Sequence, residues 1–149
     1  MPPPRFVFDT NIYRYGASSP DFGDRVAKTW APVSVSAVVL SELWRSTRGG
    51  KSAELVEDIE RRGRRFVFAP TETDWRIVGQ YLATRLPPGN KKPSAEVLAA
   101  IRKEQNDALI AVSAWRRGHV LVTCDKDFEP IRSYVRAPEE MLVTLPAPP

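Results

Sequence analysis

The sequence predicts an α/β domain, a parallel sheet of four to five strands with helices on both faces. Three observations carry this prediction. Short apolar, strand-forming runs alternate with segments of helical periodicity, no hairpin signal joins two of the runs, and an aspartate directly follows the first and the fourth of them. Strands separated by helices run parallel, because a crossover brings the chain back to the same end of the sheet.

Arg5 to Phe8 reads as the first strand and Pro32 to Ser36 as the second, with helical segments between them. Ser36 caps a helix through Ala-Val-Val-Leu-Ser-Glu-Leu-Trp-Arg-Ser that stops near Gly49-Gly50, and Ser52 opens another that reaches Gly63. Phe66 to Phe68 is the third strand. Thr71-Glu-Thr-Asp74 has the spacing of a capping box, ahead of a helix that carries Trp75, Val78, Leu82 and Leu86 and ends at Pro87-Pro88-Gly89. A long helical stretch extends from Ser94 to Arg117, with a break expected near Gln105-Asn106, and stops at Gly118. Val120 to Cys124 is the fourth strand. A weak fifth strand is expected around Tyr134 to Arg136, then a short helix at Pro138 to Leu142 and a Pro-rich tail. There is no internal repeat and no long linker, so residues 1–149 are expected to form one domain.

Composition narrows the function classes. A chain of 149 residues can bury a core without disulfides or a structural metal. Its 42% hydrophobic and 27% charged residues are ordinary for a soluble protein, and no apolar run approaches the roughly 20 residues of a membrane span. The start, Met-Pro-Pro-Pro-Arg, lacks the zones of a signal peptide, and the expected location is cytoplasmic. The lone Cys124 and the lone His119 both fall on the fourth strand and leave no thiolate or imidazole metal cage. A Ser-His or Cys-His mechanism would rest on His119 alone. The net charge of +4 is compatible with a polyanionic partner.

The acids are more telling. Asp9 follows strand one and Asp125 follows strand four, so a parallel sheet carries both to the rim where ligands of such folds bind. Glu42, in the helix after strand two, and Asp107, in the helix before strand four, can reach the same rim from the first turns of their helices. Each acid alone has a plain structural reading, Asp9 as a helix cap, Asp107 as a dipole-favoured acid and Glu42 as a solvent-facing residue. Together they repel one another unless a cation compensates, and oxygen ligands of this kind suit magnesium or manganese. Two such ions can activate a water and neutralise the leaving oxygen of a phosphodiester. Thr10 and Asn11 would then adjust the hydrogen bonds of Asp9.

Phe-Val-Phe-Asp9-Thr-Asn-Ile, Ser41-Glu42-Leu, Asn106-Asp107-Ala-Leu-Ile-Ala and Val-Thr123-Cys-Asp125-Lys-Asp-Phe, in this order over almost the whole chain, resemble the PIN-domain ribonucleases, most closely the VapC-type toxins of toxin–antitoxin pairs. The resemblance implies a PIN-like sheet, a magnesium- or manganese-dependent endoribonuclease with RNA as substrate, a small antitoxin that enters the active-site groove, and a homodimer. Asp9, Glu42, Asp107 and Asp125 match the family's acidic positions and Thr123 its usual Thr or Ser. Asp127 is either an auxiliary ligand or a cap of the next turn. The alternative is a non-catalytic PIN domain that binds nucleic acid or a protein.

Two other folds that place an acid after strand one are excluded. Haloacid-dehalogenase-like phosphohydrolases need a second Asp where Asn11 stands, and receiver domains need an acceptor Asp where Ala-Pro-Thr follows the third strand. Arg14, Arg45, Arg48, Lys91, Lys92 and Lys126 are candidate phosphate contacts by their nearness in sequence to the acids or their place on the loop after Gly89. The run Arg61-Arg-Gly-Arg-Arg65 reads as a solvated helix end. Trp44, Trp75 and Trp115 are expected in the core rather than as base-stacking platforms, and Tyr13, a short step past Asp9, is the candidate aromatic contact for a base.

Overall fold

The protein is described by a computed structural model over residues 3–149. Strands β1 (Phe6–Phe8), β2 (Val33–Ser36), β3 (Val67–Phe68), β4 (Val120–Thr123) and β5 (Leu142–Thr144) form one sheet in the order β3-β2-β1-β4-β5. Every neighbouring pair is parallel. The helices are α1 (Thr10–Ser18), α2 (Pro20–Thr29), α3 (Ala37–Arg45), α4 (Lys51–Gly63), α5 (Glu72–Ala83), α6 (Ala95–Arg116) and α7 (Glu129–Val135).

The two-residue alternation of a strand sorts its side chains into two cores. Val7, Val35 and Leu121 are buried with Val39 and Leu43 of α3 and with Leu109, Ile110 and Val112 of α6. Phe8 and Val122 are buried on the other side with Ile12 of α1 and Phe22 and Val26 of α2. The sheet therefore has helices on both faces, as its sequence predicts. Leu121 is fully enclosed, and Leu121→Ala would cost roughly 2 to 5 kcal/mol through the cavity it leaves.

Two glycines are dictated by space or conformation. A Cβ on Gly63 would lie 2.6 Å from Val35 Cγ2, so only glycine lets the end of α4 approach β2 this closely. Gly118, at φ +73°, turns the chain out of α6 while its N–H and that of His119 donate to the carbonyls of Trp115 and Ala114. Sequence-predicted caps also form. Ser36 accepts from the Val38 N–H, and Thr71 and Asp74 complete a capping box, while Ser94, read from the sequence only as the start of a helical stretch, also caps α6 by accepting from the Val97 N–H.

Several expectations change. The break near Gln105-Asn106 is absent, because α6 runs unbroken over 22 residues packed along α5. Residues 134 to 136 are not a strand. Tyr134 and Val135 end α7, whose Ile131 is buried, and Arg136 closes it in the left-handed region at φ 57°. The fifth strand is Leu142–Thr144, preceded by a 3₁₀ turn over Glu139–Met141. Phe66 belongs to a 3₁₀ turn rather than to β3, and Leu86 lies beyond the end of α5. Gly50, not Ser52, is the N-cap of α4, and His119 and Cys124 flank β4 by one residue on either side.

Candidate active site

The strand order reverses between β1 and β4, and a reversal of this kind opens a crevice at the carboxyl ends of the two strands. Asp9 leaves β1 there, and its N–H still pairs with the Val122 carbonyl of β4 at 3.0 Å. Asp9 caps α1, its Oδ1 accepting the Thr10 N–H at 2.7 Å. Asp9 Oδ2 accepts the Thr123 hydroxyl at 3.0 Å. Thr123 Oγ1 in turn accepts the Asp125 N–H at 3.0 Å, and Asp125 Oδ1 accepts the Asp127 N–H at 2.8 Å. The fully buried Thr123 thus ties the acid of one strand to the acid of its neighbour.

Glu42 and Asp107 come to this rim from α3 and α6, but not from first turns. Glu42 lies past the middle of α3, and with α6 unbroken Asp107 sits deep in that helix. The helix dipole acts only over the terminal turns, so it does not account for Asp107. Nor is Glu42 solvent-facing. It is half-buried, and its Oε1 is enclosed without a hydrogen-bond partner, as is Thr10 Oγ1. Asn11 makes no side-chain hydrogen bond to Asp9 among the described residues, so of the two expected helpers only Thr10 serves, through its backbone.

Electrostatics bind these acids into one site. Burial pushes the Asp107 carboxyl up to about 7, and the charges of Asp9, Glu42, Asp125 and Asp127 push in the same direction. Asp9 is raised by burial, against the Thr123 and Thr10 hydrogen bonds. Glu42 is raised by burial and by Asp9, with Arg14 and Arg45 opposing. Arg14 and Arg45 are therefore close enough to act on the acids. Arg48, Lys91, Lys92 and Lys126 are exposed, and no contact among the described residues links them to the carboxylates.

The acids are not drawn into a finished cage. Among the described residues no group of three converges as metal ligands. The chemistry nevertheless fits a hard divalent cation. The donors are all oxygen, two buried oxygens lack partners, and burial together with the neighbouring acids drives the Asp107 carboxyl toward its neutral form. Binding would have to pull the side chains inward.

A cavity of about 390 Å³ opens beside the site, with Asp107, Asp125 and Asp127 on its walls together with Tyr81, Arg85 and Lys103. Asp127 thus faces the cavity, whereas the turn over Lys126–Phe128 is capped by Asp125. Sequence reasoning missed both Arg85 and Lys103: Lys103 stands one helical turn before Asp107 on α6, a spacing that the sequence carries, whereas Arg85, just past the end of α5, reaches the cavity only because α5 packs on α6. The aromatic expectations also shift. Trp75 is 50% exposed beside Arg45 and Asn106, not in the core. Trp115 is buried and donates its indole N–H to the Met141 carbonyl, and Trp44 is half-buried against Glu60. Tyr13 is half-buried and packs on Phe8 against the core, and burial pushes its hydroxyl up. Arg61 and Arg62 pair with Asp58, as befits a solvated helix end.

The model of the PIN domain family matches residues 6–133. Among solved structures, the chain is similar to the crystal structure of VapBC2 from Rickettsia felis bound to a DNA fragment from their promoter. The match has 19% identity and a TM-score of 0.53, and covers 94% of this chain and 98% of that one. At this identity the likeness is one of fold. No curated protein matches the sequence. With the fold, the strand-end acids and a family match over most of its length, the chain belongs to the PIN domain family.

Proposed function

We propose that the protein is a metal-dependent endoribonuclease that hydrolyses RNA phosphodiester bonds, and that it acts as the toxin of a type II toxin–antitoxin pair. The observation that carries this reading is the gathering of Asp9, Glu42, Asp107 and Asp125 at one strand-end rim, where burial first and then the charges of the neighbouring acids push the Asp107 carboxyl up to about 7. A fold gains nothing from buried like charges, whereas PIN domains are typically divalent-metal-dependent nucleases. Asp9, Asp107 and Asp125, with Glu42 and Asp127 in support, would hold two magnesium or manganese ions. When bound, such ions supply charge neutralisation at phosphate and a water more acidic than bulk water.

The chain's own residues do the rest. Thr123 fixes the rotamer of Asp9 and the backbone of Asp125, so these two acids face the crevice before any ligand arrives. Arg14 and Arg45 offset part of the negative field and would hold the RNA backbone beside it. The likeness in fold to a VapBC2 structure supports a small antitoxin partner that covers the acids. A single domain, a homodimer and a cytoplasmic location complete the proposal. Among the described residues no helix is long and apolar enough to cross a membrane.

The test is cleavage of single-stranded RNA by the purified chain. Cutting with magnesium or manganese, its loss in excess chelator, and its loss in Asp9→Asn and Asp107→Asn are expected. Cleavage that persists in chelator contradicts the metal assignment. The unfinished cage favours a second reading, a PIN domain that binds without cutting. A chain that binds RNA but neither binds manganese nor cuts would establish it.

A further inference from the structure

In the cavity that Asp107, Asp125 and Asp127 line, Arg85 is held by three hydrogen bonds. Its guanidinium donates from both Nε and Nη2 to Glu104 Oε2, at 3.3 and 3.1 Å, and Nη2 also donates to the Tyr81 hydroxyl at 2.9 Å. It lies over the Tyr81 ring, 5.4 Å from its centroid. Lys103, next to Glu104 in sequence, lines the same cavity, as do Asp107 and Asp125. A single space of about 390 Å³ is therefore lined by two cations, one of them paired with Glu104, together with three further acids, Asp107, Asp125 and Asp127. A guanidinium fork suits the oxygens of a carboxylate and of a phosphate equally well.

We propose that Arg85 and Lys103 form a phosphate subsite for RNA, and that the Glu104 carboxylate is the internal anion that occupies it when RNA is absent. The inference rests on the nuclease reading for its substrate class. In the nuclease, a phosphate beside the scissile one displaces Glu104 from Arg85 and takes up its hydrogen bonds. Arg85 is 39% exposed and Glu104 36%, so the pair is open to exchange and costs little to part. The surface of Tyr81 keeps the guanidinium in the cavity after its partner leaves.

The exchange separates this subsite from a simple brace between α5 and α6. If the pair only braces the helices, removing either partner has the same effect. If Glu104 competes with phosphate, the two removals act in opposite directions. The experiment uses the full chain carrying Asp107→Asn, so that the RNA stays intact, with manganese and a fluorescein-labelled single-stranded RNA of twelve nucleotides followed by anisotropy. Arg85→Ala should weaken binding about tenfold. It should also lower the slope of log affinity against log salt by about 0.7, the share of one single-strand phosphate contact. Lys103→Ala should do the same to a smaller extent, and Glu104→Gln should tighten binding several-fold. Melting temperatures of Arg85→Ala and Glu104→Gln should stay within a few degrees of each other. Weakening by Glu104→Gln to the level of Arg85→Ala, or affinity unchanged in both, overturns the subsite while RNA binding as such stands. A parent chain that binds no RNA at all overturns the subsite and the nuclease reading together.

Discussion

Two acids in this protein, Asp74 and Asp107, end in opposite electrostatic states. Asp74, at the start of α5, is 1% exposed, yet its carboxylate accepts the Thr71 N–H and the Arg116 guanidinium, each at 2.7 Å. Burial alone would push it up, but Arg116 and Thr71 outweigh burial and hold it below the ordinary value. Asp107, on α6 and only half-buried, is driven up to about 7 by burial and four neighbouring acids. A charge kept for stability comes with its partners built in. A charge without partners, at the carboxyl ends of two paired strands whose connections part, is the one that an external cation would stabilise.

The largest expected difference between the two regions is in activity. Asp107→Asn should reduce RNA cleavage at least about 100-fold, since an amide removes a ligand's charge at nearly constant volume. Asp74→Asn should cut at close to the wild-type rate at any temperature where it is folded. Rate measurements on both variants at 25 °C check this, and equal losses would erase the distinction between a structural and a functional acid.

Stability should separate them in the other direction. Asp74→Ala removes a capping bond and strands the Arg116 charge, which is partly open to water, for a cost of about 2 kcal/mol. That corresponds to a melting temperature lower by roughly 5 °C in a domain of this size. Asp107→Asn should not lower it in chelator. Thermal unfolding by circular dichroism distinguishes the two, and a loss at Asp107 as large as at Asp74 would mean that an unrecognised contact holds it.

Much of this contrast was legible in the sequence. Thr71-x-x-Asp74 announced the capping box, and a strand run ending in Asp9 or Asp125 announced the rim, because both signals are local. Asp107 groups with the rim acids from the sequence, but its place along the helix differs from the first turn that the sequence suggests. Asn106 is a weak helix former, but Gln105 and the Ala, Leu, Lys and Glu residues around the pair are good ones, and packing against α5 supports α6 through the single weak position. The same holds for Tyr134 and Val135, β-favouring side chains that α7 retains because Ile131 anchors it in the core. Arg85 and the exposure of Trp75 depend on contacts between elements distant in sequence, which no residue pattern along the chain encodes. Lys103 is different, since its place one turn before Asp107 on α6 follows from helical spacing.

A smaller effect sharpens the comparison through pH. In the metal-free protein the native state keeps a proton on Asp107 up to about pH 7, whereas the unfolded chain loses it near 3.8. The native state then binds more protons over that window, and stability falls as pH rises through it. Asp74 has the opposite sign. Its folded value is lowered, so the stability it adds is present above 3.8 and is lost as pH falls further. In chelator, the melting temperature of Asp107→Asn relative to wild type should be near zero at pH 4 and rise to its maximum by about pH 8. The deficit of Asp74→Asn should shrink toward pH 3. Differences that do not vary with pH would remove the electrostatic basis for both.

Wild type and Asp107→Asn, each melted at pH 7.5 in chelator and in manganese, test the repulsion most directly. Asp107 is preferable to Asp9, whose carboxylate also caps α1 and accepts from Thr123, because no hydrogen bond contributes to the shift at Asp107. Relief of like-charge repulsion should make the variant melt higher than wild type in chelator. Manganese should reverse the order, because the wild type gains binding free energy that the variant has partly lost. A variant that melts below wild type in chelator, with manganese changing neither curve, would contradict the reading of these acids as an unneutralised metal site.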